Sequence, residues 1–317
     1  MTLSNNILET NFKNLIKCNL DFNIISKNLL EEELLPQELH IKIDKKSISI
    51  LRRHEFQDNL RIEFFLNFLV QSLNLLNKEL NCELIANLSE GIEDNYKIKR
   101  FAYSQKKSLN HILIPDAHNF VTFDKVNALS TIDIPFDQKN DCAIFVGSDT
   151  GFIKDGFTAR SLFCSKYNNT DKTIAKLTGG VRDEVKQNLI NFEKIYDNFW
   201  TIKDQLKNKV ILNIDGNSTS WERPIWAMAS NSICIYIEPF HEREFESWFY
   251  PMLEFFAVLP KVSISNYKFF IENSFDDEYW QNLNNNQQIF AKYVANLNVQ
   301  KIYLANLLLN YNEQYNA

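Results

Sequence analysis

The sequence predicts an α/β protein built from two doubly wound units, and three observations carry that expectation. Short apolar runs of four to six residues recur and end in polar turns, as in CAIFVGSDTG and KVILNIDGN. Amphipathic segments at helical spacing alternate with them, the pattern of a largely parallel sheet covered by helices. The third observation is size: 317 residues, 45% hydrophobic and 13% aromatic, can bury a large core. Such a length fills about two domains of roughly 100–200 residues each.

The elements follow in order. Ile7, Phe12, Leu15 and Ile16, then Leu29, Leu30, Leu34 and Leu35, recur at helical spacing until Pro36 breaks the run. IKIDKKSISILRR, from Ile41, alternates like a strand. FQDNLRIEFFLNFLVQSLNLLNKEL, from Phe56, is an amphipathic helix with Ile62, Phe65, Phe68, Leu69 and Leu73 on its apolar face. CELIANLSEG is a short strand ending in Ser89, Glu90 and Gly91. FAYSQ and HILIPDAHNF are further strands, with Pro115 as a break, and the stretch from Ile134 to Asp141 reads as a linker. CAIFVGSDTG, KVILNIDGN, ICIYIEP and FAVLPKV are the strands of the second unit, with a helix over VKQNLINFEKIYDNF. From about Asp276 the tail is helical through YLANLLLNYNEQY.

Composition excludes several classes of function. A net charge of -6 and a pI near 5.5 supply no global positive field, so no nucleic-acid partner is expected. Cys18, Cys82, Cys142, Cys164 and Cys234 are odd in number, widely spaced and without a C-x-x-C pair, so neither a disulfide framework nor a zinc site is expected. His40, His54, His111, His118 and His241 have no metal-ligand spacing. The N-terminus lacks signal-peptide features, and no run of ~18 uncharged apolar residues occurs. The expectation is a cytoplasmic chain.

In open α/β sheets, ligands bind beyond the carboxyl ends of the strands. Four polar strand exits qualify: Ser89-Glu90-Gly91, Gly147 to Gly151, Asp215-Gly216-Asn217 and Glu238-Pro239. In the second of these, Gly147, Ser148, Thr150 and Gly151 form either a plain turn or a place where backbone N–H groups approach a phosphate. The spaced-glycine dinucleotide fingerprint and the Walker loop are both absent, which disfavours NAD and ATP. Ser218, Thr219 and Ser220 precede an amphipathic stretch with Arg223 at its start, so this exit is either an anion cradle or a helix capped by Ser220. Glu90 is either a surface carboxylate or a general base. No G-x-S-x-G elbow occurs. Trp248-Phe249-Tyr250 is either core or a stacking platform.

The order of these motifs resembles glycosyltransferase family 90, which includes protein O-glucosyltransferases of EGF-like repeats, capsule xylosyltransferases and lipopolysaccharide-type enzymes. The blocks are NLSE at Asn87 to Glu90, FAYSQKKSLNHILIP at Phe101 to Pro115, FVGSDTG with Arg160 following, and NIDGNSTSW leading to SNSICIYIEP and FESWFYPMLEFFAVLP. Together they span about Leu84 to Val262.

The resemblance implies a GT-B-like fold, two Rossmann-like domains facing a cleft with C-terminal helices. It divides the chain into an acceptor-side domain at 1–137, a nucleotide-sugar domain at 138–270, and helices at 271–317 that pack back on the body. It implies inverting transfer from a nucleotide sugar, a UDP-sugar first, to a glycan or glycolipid acceptor in surface polysaccharide or lipopolysaccharide synthesis. No cofactor and no metal are expected, and a lipid-linked acceptor would bring the enzyme to a membrane surface. Glu90 takes the place of the family's aspartate base, with Asp116 as the alternative. Gly147, Ser148, Thr150, Arg160, Asp215, Gly216, Asn217, Ser218, Thr219, Ser220, Trp221 and Arg223 are the expected donor-binding residues. Three departures stand out: Glu90 replaces aspartate, Val146 replaces the arginine of the glycine-serine turn, and Phe255 or Phe256 stands where the family has tryptophan. The missing charge at Val146 leaves Arg223 or Arg160 to supply it. The alternative is a catalytically inactive nucleotide- or glycan-binding module of the same fold.

Overall fold

The computed structural model describes residues 34–316, apart from 46, 53–58, 95, 97, 117, 169, 171, 221, 239–244 and 274–276. The helically spaced residues from Ile7 to Leu30, and Cys18, His54, Trp221, Pro239 and His241, lie outside the described residues. The described strands are β1 Glu38–Lys45, β2 Ser47–Arg52, β3 Leu80–Asn87, β4 Arg100–Ala102, β5 Ser104–Lys106, β6 Ile112–Leu113, β7 Asn140–Ser148, β8 Thr173–Thr178, β9 Asn208–Asn213, β10 Ile233–Glu238, β11 Phe245–Ser247 and β12 Lys261–Ser263. The fold is α/β, and the chain forms two compact units. One takes the described parts of 6–120, 245–252 and 296–317; the other takes those of 121–244 and 253–295.

The first unit holds a mixed sheet in the order β2-β1-β3-β4-β6. β3, β4 and β6 run parallel, whereas β1 pairs antiparallel with both β2 and β3. A fully parallel, doubly wound arrangement is therefore not found here. The run expected as one strand from Ile41 folds back on itself at Lys45, whose φ of 56° supplies the tight reversal. Leu39, Ile41 and Ile43 alternate onto one face and pair with Ala86, Leu84 and Cys82, all buried. The helix Asn59–Leu73 buries Ile62, Phe65, Phe68 and Leu69, as its spacing predicts, and it packs against the helix Leu297–Tyr315. That last helix sends Tyr303 Oη to Leu113 O and Tyr311 Oη to Glu83 O, each at 2.9 Å. Trp248 and Phe249 are each 1% exposed, and Trp248 packs on Tyr303 with ring centroids 5.1 Å apart, so these aromatics are core.

The second unit is an all-parallel sheet in the order β12-β10-β9-β7-β8. Its strands are nearly continuous apolar runs because both faces are covered. On one face Phe145, Leu177, Leu212 and Ile235 join Phe163, Tyr267 and Trp280 in a single core. The helix Asp277–Ala295, which contributes Trp280, also packs against the helix Arg223–Ala229 and β10. Gln287 from that helix bonds Cys234 N and O and Val258 O within 2.9 Å, so a polar side chain splices the sheet's edge to its cover. The stretch 134–141 is anchored inside this unit. Lys139 Nζ bonds Asp133 and Leu206 O, and Asp133 Oδ2 accepts from Asn231 N at 2.6 Å.

Two expected elements differ. VKQNLINFEKIYDNF, read as one helix, gives only the short helices Asp183–Lys186 and Phe192–Ile195, because Asn191 sits at φ 58° and breaks the run. FAVLPKV, read as a strand, is the end of the helix Tyr250–Phe256, a reversal at Ala257 with φ 49°, and only then β12.

Candidate functional site

In chain order the five strands of the parallel sheet are arranged 2-1-3-4-5, since β7 is flanked by β8 on one side and β9 on the other. The chain leaves β7 in one direction, returns, and leaves β9 in the other. Loops after such neighbouring strands diverge and leave a crevice at their carboxyl ends, the place where α/β proteins bind ligands. Here those loops are 148–158 and 214–222, the two richest in candidate residues.

Arg160 joins the two loops. It is held at the start of the helix Ala159–Tyr167, whose N-cap Thr158 and Ser161 form a reciprocal capping box. From there its guanidinium donates to Ser148 O at 3.0 Å and Thr150 Oγ1 at 2.8 Å in the first loop, and to Ile214 O at 3.0 Å and Ser220 Oγ at 3.4 Å in the second. The planar fork of an arginine spans these partners where a lysine could not. The loops also touch directly. Gly151 N donates to Asn217 Oδ1 at 2.9 Å. Gly151 has φ 118°, a conformation suited to glycine.

The second loop is closed by Asp215. Its Oδ1 accepts from Ser220 N and its Oδ2 from Tyr236 Oη, both at 2.9 Å. Burial pushes the Asp215 carboxyl up from 3.8 to about 6, against the hydrogen bonds from Ser220 and Tyr236 and the charge of Arg160. Asp215 therefore shapes the loop. Ser218 and Thr219 are buried beside it. Ser220 Oγ donates to Ile214 O at 3.1 Å, and the residue at the cap of the helix Arg223–Ala229 is Glu222, without a side-chain cap. Ser220 is a brace inside the turn.

Arg223 lies where the resemblance expects a cation. Its Nη2 donates to Val146 O at 2.5 Å and its Nη1 to Gln205 Oε1 at 3.1 Å. A guanidinium is thus bound to the Val146 main chain. A Cβ at Gly147 would lie 3.1 Å from the Phe145 ring, so the tight approach there is to that ring. Arg160 and Arg223 both stand over the Phe145 ring, at 5.9 and 5.4 Å from its centroid. Burial, and then the Arg160 charge, pull the Arg223 guanidinium down to about 10, so it stays charged at neutral pH.

The sequence reading named Asp149 only as part of its strand exit and gave no role to Arg182 or Asn213. Arg182, exposed, donates to Gly151 O at 2.7 Å and brings a third guanidinium to these loops. Asp149 is 3% exposed, accepts from Thr158 Oγ1 at 2.6 Å, and has no hydrogen-bond partner for its Oδ2. Asn213, at the end of β9, is fully buried with neither amide atom partnered. A buried unpartnered amide at a strand exit was the signal available, but only burial reveals it.

The candidate bases lie in the other unit. Asn87 is buried; it donates to Glu38 Oε1 at 3.1 Å and accepts from Ser89 N and Oγ at 3.0 and 2.6 Å, which shapes the NLSE turn. Glu38 forms a fully buried ion pair with Arg100 at 2.9 Å. The turn so held presents Glu90, whose side chain is 49% exposed with Arg61 Nη2 at 3.8 Å. Asp116 is 8% exposed, accepts from His118 N at 2.7 Å through Oδ1, and its carbonyl accepts from Asn119 N. Its geometry is that of a turn that starts the helix Asn119–Ile132. His111, pushed down by burial, bridges Arg100 N and Asp94 O.

Among the described residues no three His, Cys, Asp or Glu side chains gather in a group that could hold a metal ion, and no helix is long and apolar enough to cross a membrane. Cys82, Cys142, Cys164 and Cys234 are free thiols, each pushed up by burial. No protein-family model matches the chain, and no curated protein matches it.

Proposed function

We propose that the protein is an inverting glycosyltransferase that moves a sugar from a nucleotide sugar, a UDP-sugar first, to a glycan acceptor. The observation that supports this reading best is Arg160 joining the β7 and β9 exits at the switch point of a parallel sheet, with Arg182 bonded to Gly151 O of the first exit and Arg223 to Val146 O of β7. A departing diphosphate needs positive groups placed in advance, and guanidinium groups recognise phosphate oxygens in pairs. Ser148, Thr150 and Ser220 add hydroxyls beside them. In this reading Glu90 removes the proton of the attacking acceptor hydroxyl, a role that suits an exposed carboxylate better than the buried Asp116. The GT-B arrangement belongs to the same proposal, as does a place in surface polysaccharide or lipopolysaccharide synthesis.

A second reading, an inactive nucleotide- or glycan-binding module, draws on the closure of the loops upon themselves at Gly151 and Gly216. UDP release from a panel of UDP-sugars separates the two. Time-dependent release from at least one donor, with Glu90→Gln abolishing transfer and keeping donor affinity, is the result expected. Binding without turnover supports the inactive module, and neither binding nor turnover sinks both.

A further inference from the structure

At the amino ends of the parallel strands, opposite to the loops described above, lies a cavity of about 480 Å³. That volume falls among small-molecule sites, which run from roughly 300 to 1,000 Å³. Asn140 opens β7 and Asn208 opens β9, and both line it, together with Asp197, Asn198, Phe199 and Trp200 from the connection between two short helices.

The rim of this cavity is fixed by hydrogen bonds. Asp197 N donates to Leu177 O at 2.9 Å, which ties the connection to β8. Asp197 Oδ1 accepts from Asn198 N at 2.7 Å and Oδ2 from the Trp200 indole at 3.2 Å, which sets the plane of that ring. Phe199 is 83% exposed although it sits in an ordered loop between two anchored neighbours. In the wall, Asn208 is 2% exposed; its Nδ2 donates to Gln205 O at 3.1 Å, and its buried Oδ1 has no partner. Lys207, also in the lining, is paired with Asp204 at 2.8 Å.

We propose that this cavity is a second carbohydrate site, taking a neutral sugar ring of a glycan at the sheet end remote from the donor loops. Aromatic faces at the rim match the apolar C–H face of a pyranose. Planar amides and a carboxylate at the rim exchange hydrogen bonds with its hydroxyls. Its place on a glycan chain extended by the enzyme rests on the proposed transfer, whereas sugar binding itself is measured separately from UDP binding.

Saturation-transfer NMR and tryptophan-fluorescence titration of the full chain with cellobiose, maltose, lactose and xylobiose test it. At least one disaccharide is expected to bind, and Phe199→Ala, an exposed substitution, is expected to weaken it by about tenfold with circular dichroism and UDP binding unchanged. Trp200→Phe keeps an aromatic face and should retain most of the affinity. The proposal is overturned if none of these sugars binds, or if binding is the same in wild type, Phe199→Ala and a Phe199→Ala/Trp200→Ala double variant. Failure of UDP binding alone leaves this outcome untouched, so the two readings fall separately.

Discussion

Gly151 and Gly216 meet main chain to main chain: a Cβ on Gly151 would lie 2.9 Å from the Gly216 carbonyl oxygen, and one on Gly216 would lie 2.3 Å from Thr150 Oγ1. The two exits therefore share one conformation. Gly151→Ala meets both that backbone contact and a φ of 118°, and should destabilise the protein by about 1–3 kcal/mol while weakening UDP binding. Gly180→Ala is the control, since nothing lies within 4 Å of its Cβ position. Urea denaturation checks both, and equal midpoints would remove the packing account.

Arg160→Lys keeps the charge and loses the fork. An ammonium cannot reach Ser148 O, Thr150 Oγ1, Ile214 O and Ser220 Oγ together. The expected outcome is a lower melting temperature and a UDP dissociation constant raised by about tenfold or more. A lysine variant with wild-type stability and affinity would show that charge alone matters there.

What the sequence made legible follows from periodicity. Ile144-Phe145-Val146 and Val210-Ile211-Leu212 read as strands because a parallel sheet covered on both faces needs unbroken apolar runs. The β1–β2 reversal did not show, because Lys45 adopts a left-handed turn conformation without glycine, asparagine or proline to mark it. Ala257 hid its break in the same way, whereas Asn191, a residue suited to the left-handed conformation, stood inside a run of helical spacing. In the site, the serines of the β9 exit stood out by their place beside a strand end, and Arg160 only through the resemblance. Arg182 and Tyr236 did not, since their roles depend on Gly151 and Asp215, distant in sequence and brought near by strand pairing. The same is true of Glu38 and Arg100.

Asp215 gives a pH signature. Burial raises its carboxyl to about 6, above the ordinary 3.8, so its contribution to stability is fully present below about pH 4 and is lost as pH rises through 6. Asp215→Asn keeps an acceptor for Ser220 N and does not ionise. Its stability relative to wild type should rise between pH 4 and 7, by as much as about 3 kcal/mol. Urea melts at both pH values measure this, and a constant difference would mean that the carboxyl does not carry the raised affinity for a proton.

The Glu38–Arg100 pair is a test of the first unit's interior. Glu38→Gln leaves a buried guanidinium without its counter-charge and should cost about 3–5 kcal/mol. A Glu38→Leu/Arg100→Met double variant should lose less than the sum of the single losses, because neither charge is then stranded. Additive losses in a double-mutant cycle would show that the two side chains act separately.

Calorimetric titration of the full chain with UDP, in wild type, Arg182→Ala and Arg223→Ala, tests the central claim most directly. Arg182 is exposed, so its removal leaves the core intact. The account predicts saturable binding by wild type, with each variant weaker by about tenfold or more. No binding of UDP, or the same dissociation constant in all three proteins, would contradict a diphosphate site at the β7 and β9 exits.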